Sequence, residues 1–507
     1  MFKKCFKKGT ERVRKKHLLL QLIVILGIGQ VNGQDLVSRY FEMDFAEIVN
    51  NLKDLPSDSM TLEQQCLFIE SQARSGNGTE VFNDLQRLLS KFPENARVLT
   101  TAGILYHSLG KLTLAEIYLT RALQLAPQNC VALLAKTMLL LYLRRFSEAE
   151  ACFTKVYEIN PKLKTTQLFQ RIGDELYGAT LNPSKMLQYF EILQHNFAQQ
   201  NKEKKAERYR KKIRLLSGVQ SDSLYQVFSP SDRVELPMVD FAPGVYYKCL
   251  ILNLGKRSFR ILLDTGNAVG WTVHHPDLLA LLETRLGREQ SVTTGSVEKS
   301  LESREILTTL LDLGDFKMAS LPGYYFKKPR ENYFDANLNP IFIRNRVVTL
   351  DFVHNKFLLR SKARFDRDLT VESDYNQVKL PFYGYEWPFV PVLINGYAPA
   401  LAMIETGAED VSLKEAYSRF IHLPLKPAMK VWGERKLHYY KATEVSILLG
   451  PQLLYRSEME IWPKRFYDRI TGLYDQVMIG PFALQNRFIV SFDPFENVIM
   501  LQTPRRD

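Results

Sequence analysis

The sequence predicts an α + β multidomain chain, an N-terminal α-helical solenoid followed by an all-β region of two lobes. Three observations carry that prediction. Prolines and small residues recur every 34 positions between residues 60 and 162. After "LSGVQSDS" the apolar pattern changes from helical spacing to short strand-like runs. In that second region an acid-Thr-Gly tripeptide occurs twice, 141 residues apart, each time at the end of an apolar run.

At 507 residues the chain is too long for one ordinary core. Its 46% hydrophobic and 24% charged content is that of a globular protein. The net charge of +12 suggests nucleic acid only until it is mapped. Residues 1–33 hold eight basic residues, from Lys3 to Lys16, against Glu11 alone, which leaves +5 for the rest. Much of that remainder lies in "KEKKAERYRKKIR" (202–214), where helical spacing with interleaved Glu203 and Glu207 predicts a solvated connector helix. No nucleic-acid partner is expected.

The basic start is followed by "LLLQLIVILGIG" (18–29) and the small residues Val31 and Gly33, the pattern of an export signal over 1–33. Its apolar core falls short of the roughly 20 residues that a spanning helix needs. The expected product is exported, periplasmic or secreted. It meets a membrane only if this segment stays uncleaved, an alternative that the long basic stretch keeps open. Cys5 falls in the signal. Cys66, Cys130, Cys152 and Cys249 show neither CxxC nor metal-ligand spacing and read as small core residues. No metal and no cofactor are expected.

The helical part is built on "KFPEN", "LAPQN" and "INPKL", whose prolines are Pro93, Pro127 and Pro161. Val81, Ala115 and Ala149 keep the same step, as do Leu85, Leu119 and Phe153, and Gly76 with Gly110. Between prolines lie two amphipathic stretches, such as "ARVLTTAGILYHSL" and "TLAEIYLTRALQL". Small inner residues let two helices approach closely, and proline stands where a helix must stop. The pattern resembles the tetratricopeptide repeat. It covers 60–162 well and continues as flanking or degenerate helical pairs at 35–59 and 163–216, giving a helical domain at 34–216. The resemblance implies stacked helical pairs with a concave groove. That groove reads either as a dock for a protein partner or as a stalk or lid for the domain that follows.

The β part reads as two halves, 234–360 and 378–505, joined by a polar linker, "SKARFDRDLTVESDYNQ" (361–377). The first runs strand, Gly turn, strand, DTG; the second runs strand, Asn-Gly hairpin, strand, ETG. Pro340 and Pro481, Asn345 and Asn486, and Arg346 and Arg487 repeat the 141-residue offset. A lone carboxylate at the end of a buried strand is costly, so Asp264 calls for a partner. Glu405 is the candidate.

Two in-phase acid loops within a duplication resemble the pepsin/retropepsin superfamily of aspartic proteases, in the single-chain arrangement. The resemblance covers roughly 234–505. It implies a bilobal domain with catalytic Asp264 and Glu405 and no metal, acting on a peptide or protein substrate. Two carboxylates about 3 Å apart share one proton, so one can serve as base toward water while the other donates. Loop support would come from Thr265, Gly266, Asn267, Thr406 and Gly407. The threonines would bond across the interface, the glycines would let backbone reach the carboxylates, and the Asn267 side chain would donate to the outer oxygen of Asp264. Flap hairpins are expected in "SVTTGSVEKS" (291–300), around Gly295, and in "KVWGERKLHYY" (430–440), around Gly433. Trp432, Tyr439 and Tyr440 would line a substrate groove or pack within their strands, and Trp271 belongs to the core.

Two departures stand out. Glu405 replaces the second Asp of the family and is one methylene longer. "VMIGP" keeps Gly480, whereas its counterpart "ANLNP" has Asn339. Two functional readings follow: an exported aspartic-type endopeptidase with helical repeats for partner or substrate docking, or a catalytically degenerate peptide-binding or scaffold protein.

Overall fold

The computed structural model describes residues 33–219, 223–242, 245–293, 300–326, 334–371, 374–396, 398–408, 411–432, 435–462, 470–473 and 476–505. Residues 1–32, and with them nearly all of the expected signal, lie outside the described residues.

Residues 33–216 are helical throughout, from Gly33–Phe41 to Glu203–Leu216. The first helices of three successive pairs, Leu62–Gln72, Ala96–Ser108 and Cys130–Tyr142, start 34 residues apart. Their N-caps keep the same step. Thr61 forms a capping box with Gln64, and the side chains of Asn95 and Asn129 each accept from the amides two and three residues on. Each such cap contributes about 1 kcal/mol. The glycine spacing has a backbone cause, since Gly76 and Gly110 have φ of 72° and 71°. At the third equivalent place stands Arg144, held in the same left-handed region with φ 58°. The basic run at 202–214 forms the expected helix, yet it buries Ala206 and Tyr209 and is not solvated all round.

The β region is a duplication in three dimensions. The first lobe is a nine-stranded sheet in which Val245–Leu254, Arg257–Leu263, Ala336–Leu338, Trp271–Val273, Lys317–Phe326, Ser300–Asp312 and Glu283–Thr293 are successive neighbours. The second lobe runs Phe389–Ile394, Ala398–Ile404, Val477–Ile479, Val411–Lys414, Gln452–Trp462, Arg435–Leu449 and Lys426–Trp432 in the matching order. Register repeats as well as order: Leu263 pairs with Leu338 in parallel, and Ile404 pairs with Ile479. A third sheet of six strands joins the lobes. Its two middle strands, Val347–Asp351 and Ile489–Asp493, come from equivalent places in the two halves and run antiparallel.

Most of the segment expected to be a polar linker forms regular structure. Lys362–Val371 is a helix that buries Phe365 against Val347 and Met500, and Tyr375–Pro381 is already an edge strand of the six-stranded sheet. One apolar side chain at the right register was enough to dock an otherwise charged stretch.

The solenoid does not stand apart. Tyr385, Phe389, Leu401, Met403, Ile470 and Leu473 of the β region belong to the same apolar cluster as the helices. Gln476 Nε2 donates to Leu109 O at 2.6 Å, while its Oε1 accepts from Leu401 N at 2.8 Å. Every residue from Val98 to Ser108 and from Ala132 to Tyr142 is buried. One side of these inner helices packs on neighbouring helices, and their C-terminal ends meet the β region. Cys66 and Cys249 are buried, Cys130 and Cys152 partly so, and none of the four is bridged.

Candidate active site

Each acid stands one residue past a central strand of its lobe. The short parallel neighbour holds the turn: Asp264 N donates to Leu338 O at 3.0 Å, and Glu405 N donates to Ile479 O at 2.9 Å. The turns then close alike. Asn267 N donates to Asp264 O at 3.1 Å and Ala408 N to Glu405 O at 3.2 Å. Glutamate at 405 has therefore not altered the backbone of its loop.

The two loops meet through their threonines. Thr265 N donates to Thr406 Oγ1 and Thr406 N to Thr265 Oγ1, both at 3.0 Å. Each hydroxyl then donates onward to the opposite strand, Thr265 Oγ1 to Ile404 O and Thr406 Oγ1 to Leu263 O, both at 2.6 Å. Both residues are almost wholly excluded from water, at 0% and 1% exposure, so all four bonds are needed to satisfy buried groups.

The glycines bring the acids together. Gly266 N donates to Asp264 Oδ1 at 2.9 Å. A Cβ on the same Gly266 would stand 2.7 Å from Glu405 Oε1, and one on Gly407 would stand 2.7 Å from Asp264 Cγ. Each carboxylate thus lies against the glycine of the opposite loop, in room that only a missing Cβ provides.

The surroundings of Asp264 differ from the expectation. The Asn267 side chain does not reach its carboxylate: Asn267 Oδ1 accepts from Val269 N at 3.4 Å, and Nδ2 is buried without a hydrogen bond. The turn aims that side chain away, and only the Asn267 backbone amide faces Asp264. The outer donor is Asn337, whose Nδ2 lies 3.2 Å from Asp264 Oδ2 and whose Oδ1 is buried without a partner. Burial pushes the Asp264 carboxyl up from 3.8 to about 6, opposed by the Gly266, Asn337 and Asn267 donors. Sequence reasoning missed Asn337. The available signal was the mismatch between Asn337 and Met478 at equivalent places of the two halves.

Asn339, which stands where the second half has Gly480, is fully buried and has φ −88°, so glycine's freedom is not required there. Its Nδ2 lies 3.0–3.1 Å from the carbonyl oxygens of Thr265, Asn267 and Glu386. The departure has become a polar brace under the first loop. A second brace is Trp387, whose Nε1 donates to Gly266 O at 3.1 Å.

The two stretches where flaps are expected fall on antiparallel strand pairs, Glu283–Thr293 with Ser300–Asp312 and Lys426–Trp432 with Arg435–Leu449. Gly295 and Gly433 lie outside the described residues. Tyr439 is buried and stacks on Trp462 at 5.1 Å, so it packs within its sheet. Tyr440 carries Arg419 over its ring at 5.1 Å, and Trp432 closes its strand. Trp271 is fully buried, with Nε1 donating to Thr308 Oγ1 at 3.1 Å.

Parts of the chain are similar to known proteins. The tetratricopeptide-repeat family model matches residues 96–129. No match to a curated protein was found. Among solved structures, a retropepsin-like aspartic protease from Rickettsia conorii aligns at 15% identity and TM-score 0.18, covering 25% of this chain and 92% of its own. Conglutin gamma, a basic 7S globulin from lupine seeds, aligns at 11% identity and TM-score 0.33, covering 54% and 95%. A tetratricopeptide repeat protein from Parabacteroides merdae aligns at 18% identity and TM-score 0.26, covering 39% and 73%. The helical region is of the tetratricopeptide type, a class of repeat that serves protein–protein contact, and the C-terminal region is a large β-rich unit.

Proposed function

We propose that this chain is an aspartic-type endopeptidase in which Asp264 and Glu405 share one proton and activate a water molecule. The observation that carries the reading is the reciprocal Thr265–Thr406 pair, which sets two acid loops face to face with each carboxylate against the other's glycine. Such a device has no use in a turn whose Asp merely caps its own backbone.

The ionised carboxylate takes a proton from water as the water oxygen attacks the scissile carbonyl carbon. The protonated partner gives its proton to the carbonyl oxygen. Collapse of the resulting gem-diol breaks the C–N bond, and a proton passes to the leaving amine. Charge is conserved throughout, and the dyad returns to its shared-proton state. The pair titrates as a unit. Asn337 beside Asp264, against Met478 in the matched place near Glu405, favours the negative charge on Asp264 and the proton on Glu405.

Export to a periplasmic or extracellular compartment is part of the proposal, on the strength of the 1–33 sequence pattern. So is a protein partner of the repeats, for which the outer helix Leu112–Leu125 leaves Leu114, Ile117 and Leu125 exposed. A degenerate peptide-binding protein is the second reading, favoured by the longer arm of Glu405. Incubating the full chain with a broad peptide library from acidic to neutral pH separates the two. Cleavage lost in Asp264→Asn supports the first, and peptide binding without turnover supports the second.

A further inference from the structure

A short segment, Gly384–Trp387, links the solenoid to the first acid loop. Three successive carbonyls of this segment are each caught by a side chain from a different place. Arg144 Nη1 of the solenoid donates to Gly384 O at 3.0 Å, Arg344 Nη2 to Tyr385 O at 3.4 Å, and Asn339 Nδ2 to Glu386 O at 3.0 Å. Gly384 N donates to Tyr142 O at 2.7 Å, and Tyr385 Oη donates to Glu175 Oε2 at 3.2 Å, both on solenoid helices. At the other end Trp387 Nε1 holds Gly266 O, and Pro388 O accepts from Ile404 N at 3.0 Å. The solenoid is therefore four residues of chain away from the backbone that carries Asp264.

Arg144 marks this contact as selected rather than incidental packing. Its two repeat equivalents are glycines in the same left-handed conformation, where a side chain is strained. The third repeat accepts that strain and buries a guanidinium, which also donates to Asn497 Oδ1 at 3.0 Å and lies 4.0 Å over the Phe382 ring. We propose that Gly384–Trp387 is a positioning strap through which the solenoid holds the Asp264 loop in its working shape. The inference extends the peptidase reading, but it concerns loop order and is measured without turnover.

The test is hydrogen exchange on the full chain. Arg144→Gly restores the residue of the other two repeats, relieving the backbone while removing the anchor. Tyr385→Phe removes only the hydroxyl bond to Glu175. The strap predicts that amides 264–268 exchange about tenfold faster in Arg144→Gly, and measurably faster in Tyr385→Phe. Amides 347–351 of the central sheet should be unchanged. Unchanged exchange at 264–268 in both variants overturns the proposal, as does an equal rise at 347–351, which would report general loosening. If the peptidase reading fails, the exchange result still decides the strap. If turnover is present, kcat falls while KM holds.

Discussion

Asp264→Asn should stabilise this protein at neutral pH and leave its stability nearly unchanged at pH 4. Burial raises the Asp264 carboxyl from 3.8 to about 6, so the folded chain binds that proton more tightly than the unfolded chain does. Between these values the folded state keeps a proton that the unfolded state has lost. Stability therefore falls as pH rises through about 4 to 6, and the full penalty is present above 6. Two units at 1.36 kcal/mol each make the penalty about 3 kcal/mol, an upper bound because Asp264 keeps part of its surface in water. An amide at this position removes the charge and keeps the shape. Gly266 N can go on donating to the side-chain oxygen. Asn337 can turn its amide and present Oδ1, now buried without a partner, to the new NH2 group. The assay is urea unfolding of parent and variant at pH 7.5 and pH 4.0, compared at equal m-value. The account predicts a gain of 1–3 kcal/mol (a rough range) at pH 7.5 that shrinks toward zero at pH 4.0. A loss at both pH values, or the same difference at both, would refute the reasoning.

Other outcomes follow from the same geometry. Thr265→Val strands a buried N–H and a buried C=O and should cost about 3 kcal/mol in urea unfolding, whereas Thr265→Ser, which keeps the hydroxyl, should cost less than about 1.5. Gly407→Ala must push the Asp264 carboxyl by roughly 1 Å to reach ordinary contact, so kcat/KM should fall by about a hundredfold with an unchanged circular dichroism spectrum. Asn337→Met copies the second lobe into the first. It should raise the pH of the acid pair's titration, as sensed at the Asp264 carboxyl carbon by NMR, by about one unit.

Much of this fold was legible because it repeats. The 34-residue step exposed the helical pairs, since one turn, one cap and one close approach recur in each. The 141-residue offset exposed both acid loops, because the strand before each acid and the short strand beside it keep the same register. What escaped notice was whatever belongs to one copy alone. Asn337 and Trp387 act once, through contacts made only after the lobes and solenoid have packed, and no periodicity announces them. The 361–377 segment read as linker because a single buried Phe365 is too little apolar signal to predict docking. Asn339 was visible as a departure. Its meaning was not, because two carbonyls of the 264–267 loop and one from the distant Glu386 converge on it only in three dimensions.

Cleavage of a peptide library by the purified full chain, compared with Asp264→Asn and Glu405→Gln, tests the central claim most directly. The account predicts cleavage by the parent chain that is lost in both variants, with both variants still folded. Cleavage that persists undiminished in either variant would contradict it.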